Sequence, residues 1–208
     1  MFYTVKTPWW LKLLYPGCVW QMPSTQNKIY LTFDDGPHPE ITPFVLDSLA
    51  RHQMKATFFC IGKNVAQHPE LFKRIIEEGH AVGNHTQNHL NGWKSGDREY
   101  FDDIVEANQM IKSRLFRPPY GRATWFQLRA LRTSAAKMKT VMWTVLSGDF
   151  DQALSPEACF QNVRQNLQPG NIVVFHDSKK AEERLRYALP LVIEEIATLR
   201  LVADKINP

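Results

Sequence analysis

The sequence predicts an α/β fold in which a mostly parallel sheet is covered by helices. Three observations carry that expectation. Short runs rich in β-branched and aromatic residues alternate with helix-like segments along the 208 residues. Those runs are nearly unbroken in apolar character, as expected of strands buried on both faces. The polar, chemistry-bearing residues fall directly after the runs, at the carboxyl ends of the expected strands, which is the active-site side of parallel α/β folds. Roughly six or seven strand–helix units can be read, fewer than the eight of a regular barrel. The pattern alone does not choose between a closed barrel and an open sheet.

The elements follow in order. Lys28 to Phe33 reads as a strand, stopped by the turn signal Asp34-Asp35-Gly36-Pro37. Ile41 to His52 reads as a helix with an apolar face of Ile41, Phe44, Val45 and Leu49. Lys55 to Ile61 is a second strand. Pro69 to Glu78 is a helix, with proline near its start and Gly79 after its end. A short strand over His80 to Asn84 and a helix over Asp97 to Ser113 come next. Leu115 to Arg117 is a strand halted by Pro118-Pro119, and Thr124 to Ala136 is a helix. Thr140 to Val145 reads as one strand, and Pro156 to Leu167 as a helix capped by Ser155. Asn171 to Phe175 is a strand of apolar character. A last helix over Glu182 to Leu199 should be kinked or interrupted near Pro190, and Leu201-Val202 closes as a weak strand.

The length suits one sizeable core, organised as an N-terminal arm over residues 1–27 packing on a domain over residues 28–208. Hydrophobic residues make up 44% and charged residues 22%, which excludes a disordered chain. The net charge is +4 with a pI near 9.0. That balance fits an anionic partner such as a cell-wall polymer and fits a plain solvated surface equally well. No run of Lys or Arg is long enough to suggest nucleic acid. The three cysteines, Cys18, Cys60 and Cys159, form neither a CxxC pair nor an even framework, so neither disulfides nor a thiolate metal site is expected. Trp9 to Tyr15 is apolar but short and broken by Lys12. It is neither a signal sequence nor a spanning helix, since a spanning helix needs about 20 apolar residues. It is expected to pack on the domain, with contact to a membrane surface as the second reading. The compartment stays open, and no obligatory protein partner is inferred.

Asp34 and Asp35 are adjacent carboxylates that repel, so each needs a partner or one takes a proton. A metal on one and an arginine on the other would satisfy both. His85 and His89, spaced i and i+4, would share one face of a helical turn and could chelate a divalent metal. Two imidazoles and the Asp35 carboxylate leave a position open for water, the arrangement of a catalytic zinc site. Arg117, held before two prolines at a strand end, can pair with a carboxylate in the site. His176, at the end of an apolar strand, can act as acid or base near neutral pH. His38, His52, His68 and His80 are read as solvated or structural.

These residues carry a resemblance. Thr32-Phe33-Asp34-Asp35-Gly36-Pro37, His85-Thr86-x-x-His89, Arg117-Pro118-Pro119-Tyr120, Trp143-Thr144 through Asp149-Phe150, and Val174-x-His176-Asp177 resemble the five motifs of the NodB-type polysaccharide deacetylases, in that family's order. The resemblance implies a distorted (β/α) barrel with fewer than eight units, about seven, as the family has. It implies a metal-dependent hydrolase that removes N-acetyl groups from peptidoglycan or a chitin-like N-acetylglucosamine polymer or oligosaccharide and releases acetate. Asp35, His85 and His89 would hold a divalent metal, zinc foremost, with cobalt or nickel as substitutes. Asp34 would be the base, Arg117 would orient it, the Tyr120 N–H would serve the oxyanion, and His176 would be the acid. Pro118, Trp143, Asp149 and Val174 would border the substrate pocket.

The chain departs from the family pattern at three positions. Leu146 stands where well-known members carry the first acid of the fourth motif, the one that supports the catalytic histidine. The carboxylate partner of His176 is therefore open, with Asp149 as candidate. Phe150 replaces a tryptophan, and Val174 a leucine. Competing readings are an O-acetyl ester hydrolase, a catalytically impaired carbohydrate-binding relative and, with least support, a non-haem iron oxygenase.

Overall fold

The computed structural model describes residues 3–207. The chain runs through α1 (Trp9–Leu14), β1 (Lys28–Asp34), α2 (Ile41–Ala50), β2 (Thr57–Cys60), α3 (Gly62–Gln67), α4 (Pro69–Glu77), β3 (Ala81–Asn84), α5 (Asp97–Ile111), β4 (Leu115–Phe116), α6 (Trp125–Thr133), β5 (Lys139–Thr140), β6 (Val145–Leu146), α7 (Pro156–Arg164), β7 (Ile172–His176), α8 (Glu182–Thr198) and β8 (Val202–Ala203). The strands are parallel in the order β5-β4-β3-β2-β1-β7-β6, and β8 adds to the start of β1. This is the distorted barrel of seven main strands, with helices outside.

Side-chain alternation along β1 divides the molecule. Ile29, Leu31 and Phe33 point outward into the core beneath α2, α7 and α8, where Phe33 stacks on its in-register neighbours Phe58 of β2 and Phe175 of β7, at 5.1 and 6.1 Å between ring centroids. The alternate residues of β1 point inward. Tyr30 joins Phe59, Leu115 and Ile172 in a second cluster, and Thr32 and Asp34 lie above it on the same face, ready to meet groups from across the barrel.

Three expectations are corrected. The stretch read as one strand over Thr140 to Val145 is two two-residue strands, β5 and β6. Between them the Arg117 guanidinium takes the Val141 and Met142 carbonyls, at 3.1 and 3.0 Å, and draws that backbone inward. α8 runs through Pro190 without the interruption that was one of the two expected outcomes. The helical turn expected of His85 to His89 does not form: Thr86 and His89 both have positive φ, 64° and 59°. α3, absent from the sequence reading, fills the space after β2.

The arm lies where the sheet does not close. Val19 accepts from Met142 N–H and donates to Thr140 O, both at 2.8 Å, while Leu146 N–H donates to Val5 O at 2.8 Å and Thr7 N–H to Thr144 O at 2.9 Å. These bonds occupy edge groups of β5 and β6 that would otherwise be open to another strand.

Candidate active site

The ionisable motif residues lie at the carboxyl ends of β1, β3, β4, β6 and β7, and strand register sets the distances. β1 and β7 pair so that Asp34 stands opposite His176. β2 pairs with β3, whose last residue Asn84 hands the chain to His85.

Arg117 is fully buried. Its Nη1 donates to Asp34 Oδ1 and to Thr32 Oγ1, each at 2.7 Å, and its plane lies 4.1 Å from the Phe59 ring centroid. Burial works against the guanidinium charge and the Asp34 carboxylate offsets it. The second Asp34 oxygen is not taken by Arg117.

Asp35 has φ 81°, a strained value for a residue with a side chain, and the turn is braced by Asn64 Nδ2 donating to its carbonyl at 2.7 Å. Gly36 follows because the Asp177 carboxylate fills the space a Cβ would need. Asp35 Oδ1 is buried without a hydrogen bond, yet lies 3.3 Å from His89 Nε2 and 3.7 Å from His85 Nε2. Burial would raise its pKa, but the surrounding His89, His176 and His85 hold the carboxyl well below the usual range. His85 Nδ1 lies 2.7 Å from the Arg117 carbonyl, which can only accept. That fixes the tautomer and leaves the Nε2 lone pair facing Asp35. Burial pulls the His85 pKa down to about 4, so the ring is neutral, as a ligand must be. The ligand atoms of Asp35, His85 and His89 all lie within 4.8 Å of one another, and this is the only such His/Cys/Asp/Glu group among the described residues. A divalent cation fits this set: one orphaned carboxylate oxygen and two imidazole nitrogens converge.

The loop carrying His89 is shaped by Asp103 of α5, which the sequence reading missed. Asp103 Oδ2 accepts from the Gln87 and Asn88 N–H groups at 2.8 and 3.0 Å, and Oδ1 accepts from Asn88 Nδ2 at 2.7 Å. On its far side His89 Nδ1 is 3.1 Å from the Tyr120 hydroxyl.

His176 lines the same cavity. Asp149 Oδ1 is 2.7 Å from its Nδ1, and Oδ2 accepts its backbone N–H at 2.6 Å. Burial would lower the His176 pKa, but Asp149, with Asp35 and Asp34 behind it, pushes it up to about 10. Asp149 is itself fully buried and lies behind His176, so it does not form the cavity wall, where the sequence reading put it. Phe150 sets its ring edge-on to His176, 5.3 Å between centroids, and Tyr3 of the arm packs on Phe150 at 5.1 Å. Tyr3 was also missed, since nothing in its sequence neighbourhood points to the site.

Asp34, Asp35, His85, His89 and His176 line one cavity of about 390 Å³, walled by Pro118, Tyr120, Trp143, Leu146, Phe150 and Val174. Tyr120 has φ 60°, and the hydrogen bonds of its turn run from Gly121 N–H to Pro118 O and from Arg122 N–H to Pro119 O, leaving the Tyr120 N–H outside them.

Residues 21–142 match the Polysaccharide deacetylase family. The chain is 35% identical over 184 residues to a peptidoglycan-N-acetylglucosamine deacetylase of Bacillus cereus, covering 85% of each. It is 38% identical over 169 residues to a chitooligosaccharide deacetylase of a Bradyrhizobium species, covering 77% of this chain and 76% of that one. It superposes on the crystal structure of the Bc1960 peptidoglycan N-acetylglucosamine deacetylase with a TM-score of 0.80 at 31% identity, over 91% of this chain and 90% of the other. With its five motifs gathered at one barrel mouth, the chain belongs to the polysaccharide deacetylase family.

Proposed function

We propose that the protein hydrolyses N-acetyl groups of an N-acetylglucosamine polymer, peptidoglycan or chitin-like, to acetate and the free amino sugar. The observation that carries this reading is a pair of groups: a carboxylate held by buried Arg117 and an imidazolium held by buried Asp149, in register on neighbouring strands and lining one cavity with the Asp35, His85 and His89 cluster. A divalent cation on that cluster, zinc in our reading, supplies the Lewis acidity that activates the acetyl carbonyl and acidifies the attacking water.

Asp34 takes the proton of that water as its oxygen bonds to the acyl carbon. Its partner Arg117 holds one oxygen, so the other faces the reaction. The Tyr120 N–H donates to the carbonyl oxygen as charge develops there. As the C–N bond breaks, His176 gives its proton to the leaving nitrogen. Water supplies the hydroxyl of acetic acid, and the amine keeps the transferred proton. Trp143, Leu146, Phe150 and Val174 enclose the acetyl methyl in an apolar wall.

The test is acetate release from N-acetylglucosamine oligomers after chelation and zinc add-back, with acetylated xylan in parallel. Metal-restored release from the amide substrate supports the reading. Release from xylan alone would make the protein an ester hydrolase. Asp34→Asn should abolish turnover while zinc titration by calorimetry stays unchanged. His85→Ala should weaken zinc binding by more than about 100-fold, because even outer-shell changes cost about 10- to 100-fold.

A further inference from the structure

The arm carries an apolar surface that neither the core nor the active site uses. In α1, Trp9 is 73% exposed, Trp10 50%, Leu13 68% and Leu14 59%, and no residue of the helix is buried. At about 100° per residue, Trp9, Trp10, Leu13 and Leu14 share one stripe about 140° wide. Leu11 lies outside the stripe and, with Leu14 at the stripe's edge, helps line a cavity of about 440 Å³ against the barrel. Lys12 flanks the stripe. Patches of this kind on a folded protein mark a surface with a partner.

The surroundings of the stripe are aromatic and cationic. Arg122 stacks over the exposed Trp93 ring at 5.3 Å, and Arg129 over the exposed Trp125 ring at 5.3 Å. Trp93 and Arg122 line the cavity that Leu11 and Leu14 border. Trp125, Arg129 and Arg132 line the neighbouring one beside Tyr15. Among the described residues, neither cavity has an Asp or Glu in its wall. Residues 1–27 contain two lysines, Lys6 and Lys12, and no acid at all.

We infer that α1 and this shelf dock the protein on an anionic lipid surface. Trp9, Trp10, Leu13 and Leu14 enter the headgroup boundary, and Lys12, Arg122, Arg129 and Arg132 meet lipid phosphates. Interfacial helices bury an apolar face in that way, with tryptophans at the boundary and cations on the headgroups. A glycan fits less well. Sugar rings stack on flat aromatic faces, and they offer nothing to cover Leu13 and Leu14. A second copy of the chain would meet the same cations, so the charge opposes it. The two cavities at the barrel mouth share a wall that includes Tyr3, Pro118, Tyr120, Arg122 and Trp143, so Arg122 stands between the lipid-facing shelf and the catalytic cavity. Docking through α1 therefore sets the catalytic cavity beside the lipid plane.

The experiment is vesicle flotation of the full chain with phosphatidylcholine alone and with phosphatidylcholine containing phosphatidylglycerol at 3:1, at low and at high salt. The variant is Trp9→Ser with Leu13→Ser, both outside the catalytic cavity. The wild type should float with the anionic vesicles, less at high salt. The variant should bind them about tenfold or more weakly, with unchanged circular dichroism and unchanged turnover of soluble oligomers. Absence of flotation overturns the proposal, as does equal flotation of wild type and variant or flotation indifferent to lipid charge. Loss of self-association or of chitin binding in the variant, without vesicle binding by the wild type, assigns the face to a second copy or to glycan and also overturns it.

Discussion

Asp149 grips His176 twice, through the ring and through the backbone N–H, and the two contacts separate under mutation. Asp149→Asn keeps an oxygen for the backbone N–H but removes the charge that holds the imidazole protonated. The sign follows from the raised pKa: the acid form persists until pH climbs through about 10 in the native protein. Without the carboxylate, burial is opposed only by the more distant Asp35 and Asp34, and the pKa falls. The alkaline limb of kcat/KM should therefore move down by several pH units, and the rate at neutral pH should fall about 100- to 10,000-fold. A pH–rate profile with an unmoved alkaline limb would remove His176 from the acid role. Asp149 also shows what the sequence conceals at this scale. The residues that gather at the barrel mouth were legible because strand ends followed by Asp-Asp-Gly-Pro, His-x-x-x-His or Arg-Pro-Pro break the apolar pattern. Which carboxylate turns toward His176 is decided by a loop, and loop direction leaves no periodic trace. Leu146 occupies the expected acidic position but faces the cavity as an apolar wall.

Between residue and fold, helices and strands act on the site through single polar side chains. Asp103 sits on the buried face of α5 among Tyr100, Ile104 and Ala107. By pattern it is one acid on an amphipathic helix, and its tertiary partners are invisible in the sequence. Asp103→Ala leaves the half-buried Gln87 N–H without its acceptor and the Asn88 N–H, on an exposed residue, to water, a cost of about 1–3 kcal/mol at most for the first. The loop holding His89 should loosen, so both melting temperature and zinc affinity should fall, with partial recovery in Asp103→Asn. His80, at the foot of β3, acts on stability instead. Its Nδ1 accepts the Ala56 N–H at 3.1 Å, and burial pulls its pKa down to about 4. A depressed histidine favours the fold when neutral. Its contribution is present above the unfolded pKa of 6.5 and is lost as pH falls through 4. The full loss is on the order of 3 kcal/mol. His80→Gln keeps an acceptor without titrating, so thermal melts between pH 6.5 and 4 should decline less steeply than in the wild type. An identical slope would show that His80 does not titrate in that window.

At the scale of the whole molecule, the question the strand pattern left open was closure, and the structure answers it with the arm. A sheet ending in two-residue strands exposes edge groups that invite pairing with another chain. Here Val5, Thr7 and Val19 take those positions, and Trp20 is buried, its indole N–H donated to the Tyr15 carbonyl at 3.1 Å. The apolar strands and covering helices were readable because a sheet buried on both faces needs unbroken apolar runs. Edge capping was not, because it rests on backbone hydrogen bonds that any residue but proline can make. The same contacts make the arm part of the fold's stability. Trp20→Ala should cost about 3–5 kcal/mol, as large buried side chains do. Removing residues 1–20 should go further, stripping the hydrogen bonds from β5 and β6 and taking Tyr3 from beside Phe150. The truncated protein should melt at lower temperature, self-associate by light scattering through the freed edges, and turn over oligomers more slowly. Full activity and an unchanged melt after truncation would mean that the remaining sheet holds its edges and the His176 wall without help, and that α1 serves only what it docks on.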